Sequence, residues 1–375
     1  MATPVESEKQ KFRLRRFLST IILVCTALFI CSAVLVITDH KQKFSEWASN
    51  DDLKGKRLKT CENMPYGSQT LPRGIVSPTS DLELLPLWGY HQKNYLKKPS
   101  KYLLAIAAGI MQKENVNKIV NKFLWSDGCN FVVMLFHYDG LVDGWRDLKW
   151  SNKAIHLSAI NQTKWWFAKR FLHPDIVSEY EYIFLWDEDL GVNNFDPGSY
   201  LTIIKEEGLE ISQPALDPSG SEVHHQLTKK QNGSKVHRRI RRKIGGSICD
   251  DSSSGPPCSG FVEMMAPVFS KASWRCTWYM IQNDLVQGWG VDYQLGYCAQ
   301  GDPSKNVGIV DSQYIKHYGI PTLGGSATKI QCLSKQSEER QTVKNWSRIE
   351  LEIFKDRWKK AAKDDDCWSD PYKQY

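Results

Sequence analysis

The segment YIFLWDEDL, from Tyr182 to Leu190, combines an apolar run with three consecutive acids and indicates a buried strand that ends at a ligand site. A mostly apolar run of strand length predicts a buried strand, so Asp187, Glu188 and Asp189 should lie where that strand leaves the core. Asp187 and Asp189 are two residues apart on an extended chain and therefore point to the same side, with Glu188 on the other. The pattern predicts a two-carboxylate clamp for a hard cation and a structural role for Glu188.

Two other interpretations of these acids compete with a metal clamp. Acids after a strand often only solvate a turn, because most exposed charges do no chemistry. A calcium-binding helix-loop-helix is excluded by spacing, because its sixth place would hold Val192 instead of Gly and its twelfth Gly198 instead of Glu. The choice between a clamp and a solvated turn depends on the rest of the sequence.

An apolar segment near the N-terminus, Phe17 to Ile37, predicts a membrane span. It has no charged residue, and thirteen of its twenty-one residues are Leu, Ile, Val or Phe. A helix of this length is about 31 Å long, close to the thickness of the bilayer core. A cleaved signal peptide is the alternative, but its apolar core is normally shorter, and here the run continues past Ser32 and Ala33. We therefore expect an uncleaved signal anchor at residues 17–37.

The charges around this segment predict its orientation. Five basic residues precede it and only Lys41 and Lys43 follow closely, so the positive-inside rule leaves residues 1–16 in the cytosol. We expect a single-pass type II membrane protein of the Golgi or endomembrane system with its domain in the lumen. The chain beyond the span has 44 basic and 40 acidic residues, a near balance that gives no sign of nucleic-acid binding.

Cysteines and glycosylation sequons agree with a luminal domain. Eight of the ten cysteines lie outside the predicted span, an even number that permits disulfides without fixing their pairing. The sequence has no CxxC pair, which argues against a zinc ribbon. Three N-glycosylation sequons begin at Asn161, Asn232 and Asn345.

The luminal part divides into a stem, a domain and a C-terminal helix. Residues 38–100 are polar and interrupted by five prolines, as in a spacer. In residues 101–330, apolar runs of strand length alternate with helical patterns, which predicts an α/β domain with a mostly parallel sheet covered on both faces. Ligands bind at the carboxyl ends of such strands, where the acids lie. Residues 331–375 are predicted to hold a closing helix, from Glu338 to Lys363, and a tail.

Three further features are candidates for the same site. In GWGVDYQLG, Trp289 suits stacking on a sugar ring and Asp292 suits removal of a hydroxyl proton, the alternative being an N-capping Asp beside a packed Trp. His317 would complete a carboxylate site suited to manganese, unless it is an ordinary surface histidine. A basic run in the long polar loop suits a diphosphate or an acidic polysaccharide, or is simply solvated, and its arginines are Arg238, Arg239, Arg241 and Arg242.

The order of these features resembles Golgi glycosyltransferases of the GT-A fold. That class has one membrane anchor, a stem and a Rossmann-like α/β domain with an Asp-x-Asp motif at a strand end, then a Trp-Gly-x-acid segment and a late His ligand. The matching residues are Asp187-Glu188-Asp189, Trp289-Gly290-Val291-Asp292 and His317. The resemblance implies a nucleotide-sugar donor, a glycan or glycoprotein acceptor, and Mn2+ or Mg2+ held by Asp187, Asp189 and His317.

The same resemblance distributes the roles of the remaining candidates. Asp187 would also contact the donor, Asp292 would be the base for the acceptor hydroxyl, and Trp289 would line the sugar groove. The four arginines would close over the diphosphate. A noncatalytic luminal glycan-binding or scaffold protein is the main alternative, and a hydrolase acting on the same sugars is another.

A closer resemblance covers most of the luminal chain, from about Leu71 to Gly325. The runs WSDGCNFVVMLFHYDG, FLWDEDLGV and KHYGIPTLGG resemble a plant family of unassigned function labelled "lysine-ketoglutarate reductase trans-splicing related". The label implies lysine catabolism or RNA splicing, yet the sequence has no dinucleotide fingerprint after a strand and no RNA-binding module. We therefore set the label aside and expect a glycosyltransferase.

Overall fold

The computed structural model describes residues 64–76, 100–126, 128–219, 221, 223, 225–238, 249, 253, 255–282, 286–320 and 333–372, without the side chains of 333–340, 343 and 344. The chain divides into residues 1–62 and a compact unit of residues 63–375. The predicted cytosolic tail, the predicted span and most of the predicted stem lie outside the described residues. Within the described ranges, no helix is long and apolar enough to cross a membrane.

Strands and helices follow one another in the predicted α/β order. The strands are β1 (Lys101–Ala108), β2 (Asn130–His137), β3 (Ile155–Ser158), β4 (Tyr180–Trp186), β5 (Leu190–Gly191), β6 (Ile211–Leu216), β7 (Val236–His237), β8 (Val268–Ser270) and β9 (Val307–His317). The helices are α1 (Arg73–Val76), α2 (Lys113–Leu124), α3 (Lys164–Phe171), α4 (Pro197–Glu206), α5 (Lys271–Met280), α6 (Val291–Gln294), α7 (Pro303–Asn306) and α8 (Leu333–Asp364).

The sheet is mixed but mostly parallel, as predicted. Its order in the described residues is β3-β2-β1-β4-β8-β6-β9-β5, with β7 paired to β9. β3, β2, β1 and β4 pair in parallel, as do β6 and β9, and β8 joins the two groups by antiparallel pairing to β4 and β6. Six strands therefore run in one direction, and their carboxyl ends meet at one edge of the sheet.

Alternating side chains of the central strands pack on opposite faces of the sheet. In β1, Leu103 and Ala105 belong to one buried cluster, and Leu104 and Ile106 to the other. Residues of α3, α5 and α8 pack in the first cluster, and residues of α2 and α4 in the second. This two-residue period agrees with the predicted sheet covered on both faces.

Three parts of the chain differ from the prediction. Residues 64–76, expected in the stem, pack into the domain, where Leu71, Ile75 and Val76 are buried and α1 contacts α8. The segment from Gly260 to Ser270, GFVEMMAPVFS, has the apolar pattern of a strand but is a strand only at Val268–Ser270. The closing helix is longer than predicted and begins at Leu333. The first two differences arise from contacts between distant parts of the chain, which a local pattern does not report.

Two disulfides resolve part of the pairing that the sequence left open. Cys276 of α5 is bonded to Cys298, which ends the turn after α6, and Cys249 is bonded to Cys258. Cys367 is also disulfide-bonded. These bonds agree with a domain that folds in an oxidising compartment.

Candidate functional site

The acid cluster lies at the carboxyl edge of the sheet, directly after β4. The N–H of Asp187 donates to the carbonyl of Met265 at 2.8 Å, so the segment before β8 runs alongside the cluster. The two-residue strand β5 then pairs antiparallel with the end of β9, with Leu190 opposite His317. This pairing brings the motif against the last residue of a distant strand.

Asp189 and His317, both predicted metal ligands, are neighbours. His317 Nε2 lies 3.4 Å from Asp189 Oδ2, and the two side chains are 10% and 7% exposed. Asp189 Oδ2 also accepts a hydrogen bond from the Ile320 N–H at 2.9 Å, and the Tyr318 N–H donates to the Asp189 carbonyl at 3.0 Å. The residues after β9 therefore fold around the Asp189 side chain and hold it beside the imidazole.

Asp187 takes a different partner, the buried Lys164 at the start of α3. Lys164 Nζ lies 2.5 Å from Asp187 Oδ1 and donates to the Met264 carbonyl at 2.5 Å. The Lys164 side chain is 8% exposed and that of Asp187 36%. Burial raises the pKa of Asp187, the lysine charge opposes this rise and the Asp189 charge adds to it. Asp187 is thus close enough to Asp189 for their charges to interact, as the two-residue spacing predicted.

Glu188 faces into the protein and connects three strand ends. Its carboxylate accepts hydrogen bonds from the Gly109 N–H after β1 (2.7 Å) and the Tyr138 hydroxyl after β2 (2.5 Å). Burial raises the pKa of Glu188 to about 8. The Asn115 amide donates to the Glu188 carbonyl at 2.5 Å. Glu188 is 2% exposed, which agrees with the structural role expected for the middle acid.

The segment carrying Trp289 and Asp292 forms a tight turn into α6. Gly288 and Gly290 have φ of +81° and +101°, in the left-handed region that favours glycine. Trp289 between them is 44% exposed. Asp292 lies in the first turn of α6, whose N-cap is Gly290, and its carboxylate accepts hydrogen bonds from the N–H groups of Gly290 (3.1 Å) and Tyr293 (3.0 Å). Burial nevertheless raises the pKa of Asp292 to about 7, the range suited to a general base.

Contacts through α3 connect this turn to the acid cluster. Lys164, which pairs with Asp187, is followed in sequence by Trp165. The Trp165 indole lies against Gly288 so closely that a Cβ added there would be 2.4 Å from Nε1. Two consecutive residues of α3 therefore contact the acid cluster and the Trp289 turn, which places both at the same end of the domain.

The described arginine of the predicted diphosphate lid lies at the other end of the sheet. The Arg238 guanidinium donates to the carbonyls of Lys305 (2.7 Å) and Glu207 (3.2 Å), near the start of β9. His317 ends β9, about 30 Å further along at a rise of about 3.3 Å per residue. Arg238 is therefore not part of the candidate site, contrary to the expectation. The other lid candidates, Arg239, Arg241 and Arg242, lie outside the described residues.

The asparagines of the three sequons are all exposed. Asn161 lies in the turn after β3, Asn232 in the loop before β7, and Asn345 on α8. None of the three side chains is part of the core, so each position is compatible with an attached glycan.

Two of the three predicted metal ligands, Asp189 and His317, lie together at the sheet edge. Among the described residues, no group of three or more His, Cys, Asp or Glu side chains is arranged to hold a metal ion. Asp189 and His317 offer one carboxylate and one imidazole, whereas Asp187 is ion-paired to Lys164. Two protein ligands suit a site that substrate phosphate oxygens and water complete, as is common for Mg2+.

Sequence reasoning missed the side chains that organise the cluster from outside the motif. Lys164, Asn115 and Tyr138 each contact the motif directly. The sequence did indicate that Lys164 begins a helix, because the preceding Thr163 is a typical N-cap residue. Its hydroxyl caps α3 by accepting from the Trp166 N–H. Nothing in the local pattern, however, tells which strand end a helix start will face.

Comparisons with known proteins give a family and remote structural likenesses. A family model described as "Protein of unknown function (DUF707)" matches residues 62–364. No curated protein matches the sequence. None of the comparisons supports the label that mentions lysine-ketoglutarate reductase.

The solved structures that resemble the chain do so at low identity. S. aureus TarS residues 1–349 aligns with 57% of this chain and 59% of its own length, at 10% identity and a TM-score of 0.34. Its complex with UDP-GlcNAc aligns with 68% of this chain and 72% of that one, at 10% identity and a TM-score of 0.37. The WbbM bifunctional glycosyltransferase aligns with 57% of this chain and 39% of its own length, at 8% identity and a TM-score of 0.34. The chain thus spans less than two thirds of the first of these structures.

Proposed function

The chain belongs to the DUF707 family of proteins of unknown function, and for this member we propose a glycosyltransferase that moves a sugar from a nucleotide-sugar donor to a glycan or glycoprotein acceptor. The observation that carries the proposal is the Asp189 and His317 pair, 3.4 Å apart at the carboxyl edge of a mostly parallel sheet. This is the edge at which open α/β sheets bind their ligands. Asp187 with Lys164 adjoins the pair, and the turn of Asp292 lies at the same end of the domain.

The charges of these residues suit departure of a diphosphate. In the transfer, the bond from the sugar anomeric carbon to the diphosphate oxygen breaks, and the leaving group gains negative charge. The Lys164 ammonium, buried at the strand end, offers positive charge there. Mn2+ or Mg2+, bound by Asp189 and His317 with the substrate phosphates, would supply further positive charge when present.

Asp292 and Trp289 suit the acceptor side of the reaction. A bond forms between the acceptor oxygen and the anomeric carbon, and the acceptor proton passes to a base in a direct displacement. Asp292, with a pKa of about 7, carries enough carboxylate at neutral pH to take that proton. The exposed Trp289 indole offers an apolar face for a sugar ring.

The proposed location is the lumen of the Golgi or another endomembrane compartment, with a type II anchor at residues 17–37. The disulfides of Cys249 with Cys258 and Cys276 with Cys298, together with three exposed sequon asparagines, support this location. Treatment of the protein from a eukaryotic host with an N-glycosidase tests it. A mobility shift agrees with luminal placement, and an unmodified chain with reduced cysteines contradicts it.

Incubation of the purified full chain with Mn2+ and a panel of nucleotide sugars tests the activity. We expect donor hydrolysis or transfer by the wild type and its loss in the Asp187→Ala, Asp189→Ala double variant. Asp143→Ala is the matched control, because the Asp143 side chain is 81% exposed in a surface pair with Arg146. Inactivity across the whole panel, or equal activity in the double variant, would contradict the proposal.

A second candidate is a noncatalytic luminal glycan-binding or scaffold protein that keeps the fold. One observation favours it: both motif acids already have cationic or imidazole partners within the protein, Lys164 and His317. This alternative predicts that the double variant binds glycans as the wild type does and that Mn2+ does not bind. A glycan array probed with both proteins distinguishes the two candidates.

A further inference from the structure

Helix α8 uses the carboxylate of Glu350 to contact the turn that carries Trp289 and Asp292. Glu350 accepts hydrogen bonds from three successive backbone N–H groups, those of Val286 (3.3 Å), Gln287 (2.9 Å) and Gly288 (2.9 Å). Successive N–H groups that converge in this way form an anion-binding concavity. Here the Glu350 carboxylate occupies this concavity.

The next two turns of α8 continue the same contact along one helix face. Phe354, four residues after Glu350, is 2% exposed and lies against Gly290, where an added Cβ would be 3.0 Å from the Phe354 Cβ. Trp358, four residues further, packs on Tyr297 with ring centroids 4.8 Å apart. A spacing of four residues places the three side chains on one face of the helix, so α8 covers the chain from residue 286 to residue 297.

Residues after the end of α8 also contact Tyr297, through one hydrogen bond and one ring contact. The Tyr297 hydroxyl donates to Asp370 Oδ2 at 3.1 Å, and Tyr297 also contacts the ring of Tyr372. The apolar contacts fix where this segment lies. Glu350 bonds the backbone N–H groups just before Trp289, next to Gly288 and Gly290, whose positive φ angles form the turn.

We propose that Glu350 is a positioning residue for the reaction, which holds the turn so that Asp292 meets the acceptor hydroxyl. The inference rests on the proposed function. Glu350 does not touch the substrate in this account; it acts through the backbone of residues 286–288. Its effect should therefore fall on the step that uses the acceptor, because a displacement of about 1 Å at a reacting group can lower a rate about 10²-fold.

Glu350→Gln in the full chain tests the inference, because it keeps the size of the side chain and replaces one accepting oxygen by an amide that repels N–H donors. We expect the rate of transfer at saturating donor to fall about 10- to 100-fold while the KM for the donor stays within about twofold. Glu350→Asp, which keeps the charge, should restore part of the rate. Glu352→Gln is the matched control, since Glu352 is 65% exposed in a surface pair with Lys355 on the same helix.

Hydrogen exchange gives a second readout that needs no activity. We expect the amides of residues 286–290 to exchange at least tenfold faster in Glu350→Gln than in the wild type, with unchanged exchange in β4 and with Glu352→Gln like the wild type. Unchanged exchange at 286–290, or faster exchange throughout the domain, would overturn the inference, as would a donor KM that rises together with the loss of rate. A wild type without transferase activity would refute the proposed function alone, and the exchange result would still decide whether Glu350 holds the turn.

Discussion

Strand β9 takes part in two Asp–His pairs that differ in what surrounds them. Asp311, in the middle of β9, pairs with His237 of β7. Asp311 Oδ2 lies 2.6 Å from His237 Nδ1. Asp311 is 1% exposed and also accepts hydrogen bonds from the Gln231 N–H (2.8 Å) and the Ser234 hydroxyl (2.6 Å). This carboxylate holds the loop before β7 against the strand.

At the end of the same strand, His317 and Asp189 form a looser pair. Their nearest atoms are 3.4 Å apart, and the carboxylate accepts one backbone hydrogen bond, from Ile320. Beside the pair lie a second acid, Asp187, and the buried Lys164. The same residue types thus stabilise a loop inside the sheet and form a candidate binding site at its carboxyl edge, where a ligand can approach.

Replacement of Asp311 should have the largest effect, and on folding. Asp311→Ala removes a buried acceptor from an imidazole, a backbone N–H and a hydroxyl, and breaking a buried pair in this way costs about 3–5 kcal/mol. We expect urea unfolding to show this loss while the transfer rate per folded molecule is unchanged. A variant of wild-type stability would show that the pair is not needed for the fold.

Replacement of Asp189 should have the opposite result, a large loss of transfer rate with a smaller loss of stability. Asp189→Ala loses one backbone hydrogen bond and the looser contact with His317, so the free energy of unfolding should fall by about 1–3 kcal/mol, less than in Asp311→Ala. The transfer rate should fall about 10²- to 10³-fold, which corresponds to about 2.7–4 kcal/mol of lost transition-state stabilisation. Steady-state kinetics and urea unfolding on the same preparation measure both effects. If the variant unfolds as easily as Asp311→Ala and keeps its rate, the two pairs have the same structural role.

Replacement of Lys164 tests the role of the positive charge beside the looser pair of Asp189 and His317. Lys164→Met leaves the Met264 carbonyl and the Asp187 carboxylate without their donor, and we expect a loss of about 1.5–3 kcal/mol in the free energy of unfolding. Lys101→Met is the control, because its pair with Glu179 is exposed on both sides and contributes about 1 kcal/mol or less. Equal losses of unfolding free energy in the two variants would mean that Lys164 does not form a buried ion pair.

The last prediction concerns the pH dependence that Asp292 gives to stability and to the transfer rate. Burial raises the pKa of Asp292 from its ordinary 3.8 to about 7. The folded protein therefore keeps a proton that the unfolded chain releases, and stability from this group falls as pH rises from about 4 through 7. The transfer rate should rise over the upper part of that window, about tenfold per pH unit below 7, and level off above it. A rate profile that is flat from pH 5.5 to 8.5 would remove Asp292 as the base.

Local patterns were sufficient for most of the fold. The run YIFLW forms most of β4, which begins two residues earlier at Tyr180, and the alternation of apolar strands with helices predicted a mostly parallel sheet with both faces covered. Such features are predictable because strand period, helix period and the ligand-binding edge follow from local geometry. The expectation that Asp189 and His317 would meet came from the resemblance to GT-A glycosyltransferases and not from a local pattern.

Contacts between distant segments were not predictable in the same way. Arg238 was expected over a diphosphate, but its bonds to Lys305 and Glu207 place it near the opposite edge of the sheet. Lys164 was not expected at all, since its burial depends on Asp187 and Met264, which come from other parts of the chain. A charge in a sequence gives no information about its partner unless the spacing is local.

Binding of Mn2+ in the presence of a nucleoside diphosphate tests whether Asp189 belongs to a metal and diphosphate site. Mn2+ titration of the full chain, followed by electron paramagnetic resonance with UDP or GDP as the probe, measures how many ions each protein binds. We expect one bound Mn2+ per wild-type chain in the presence of one of the two diphosphates, loss of this ion in Asp189→Ala, and wild-type binding in the folded fraction of Asp311→Ala. Equal binding in the wild type and Asp189→Ala, or no binding with either diphosphate, would contradict this expectation.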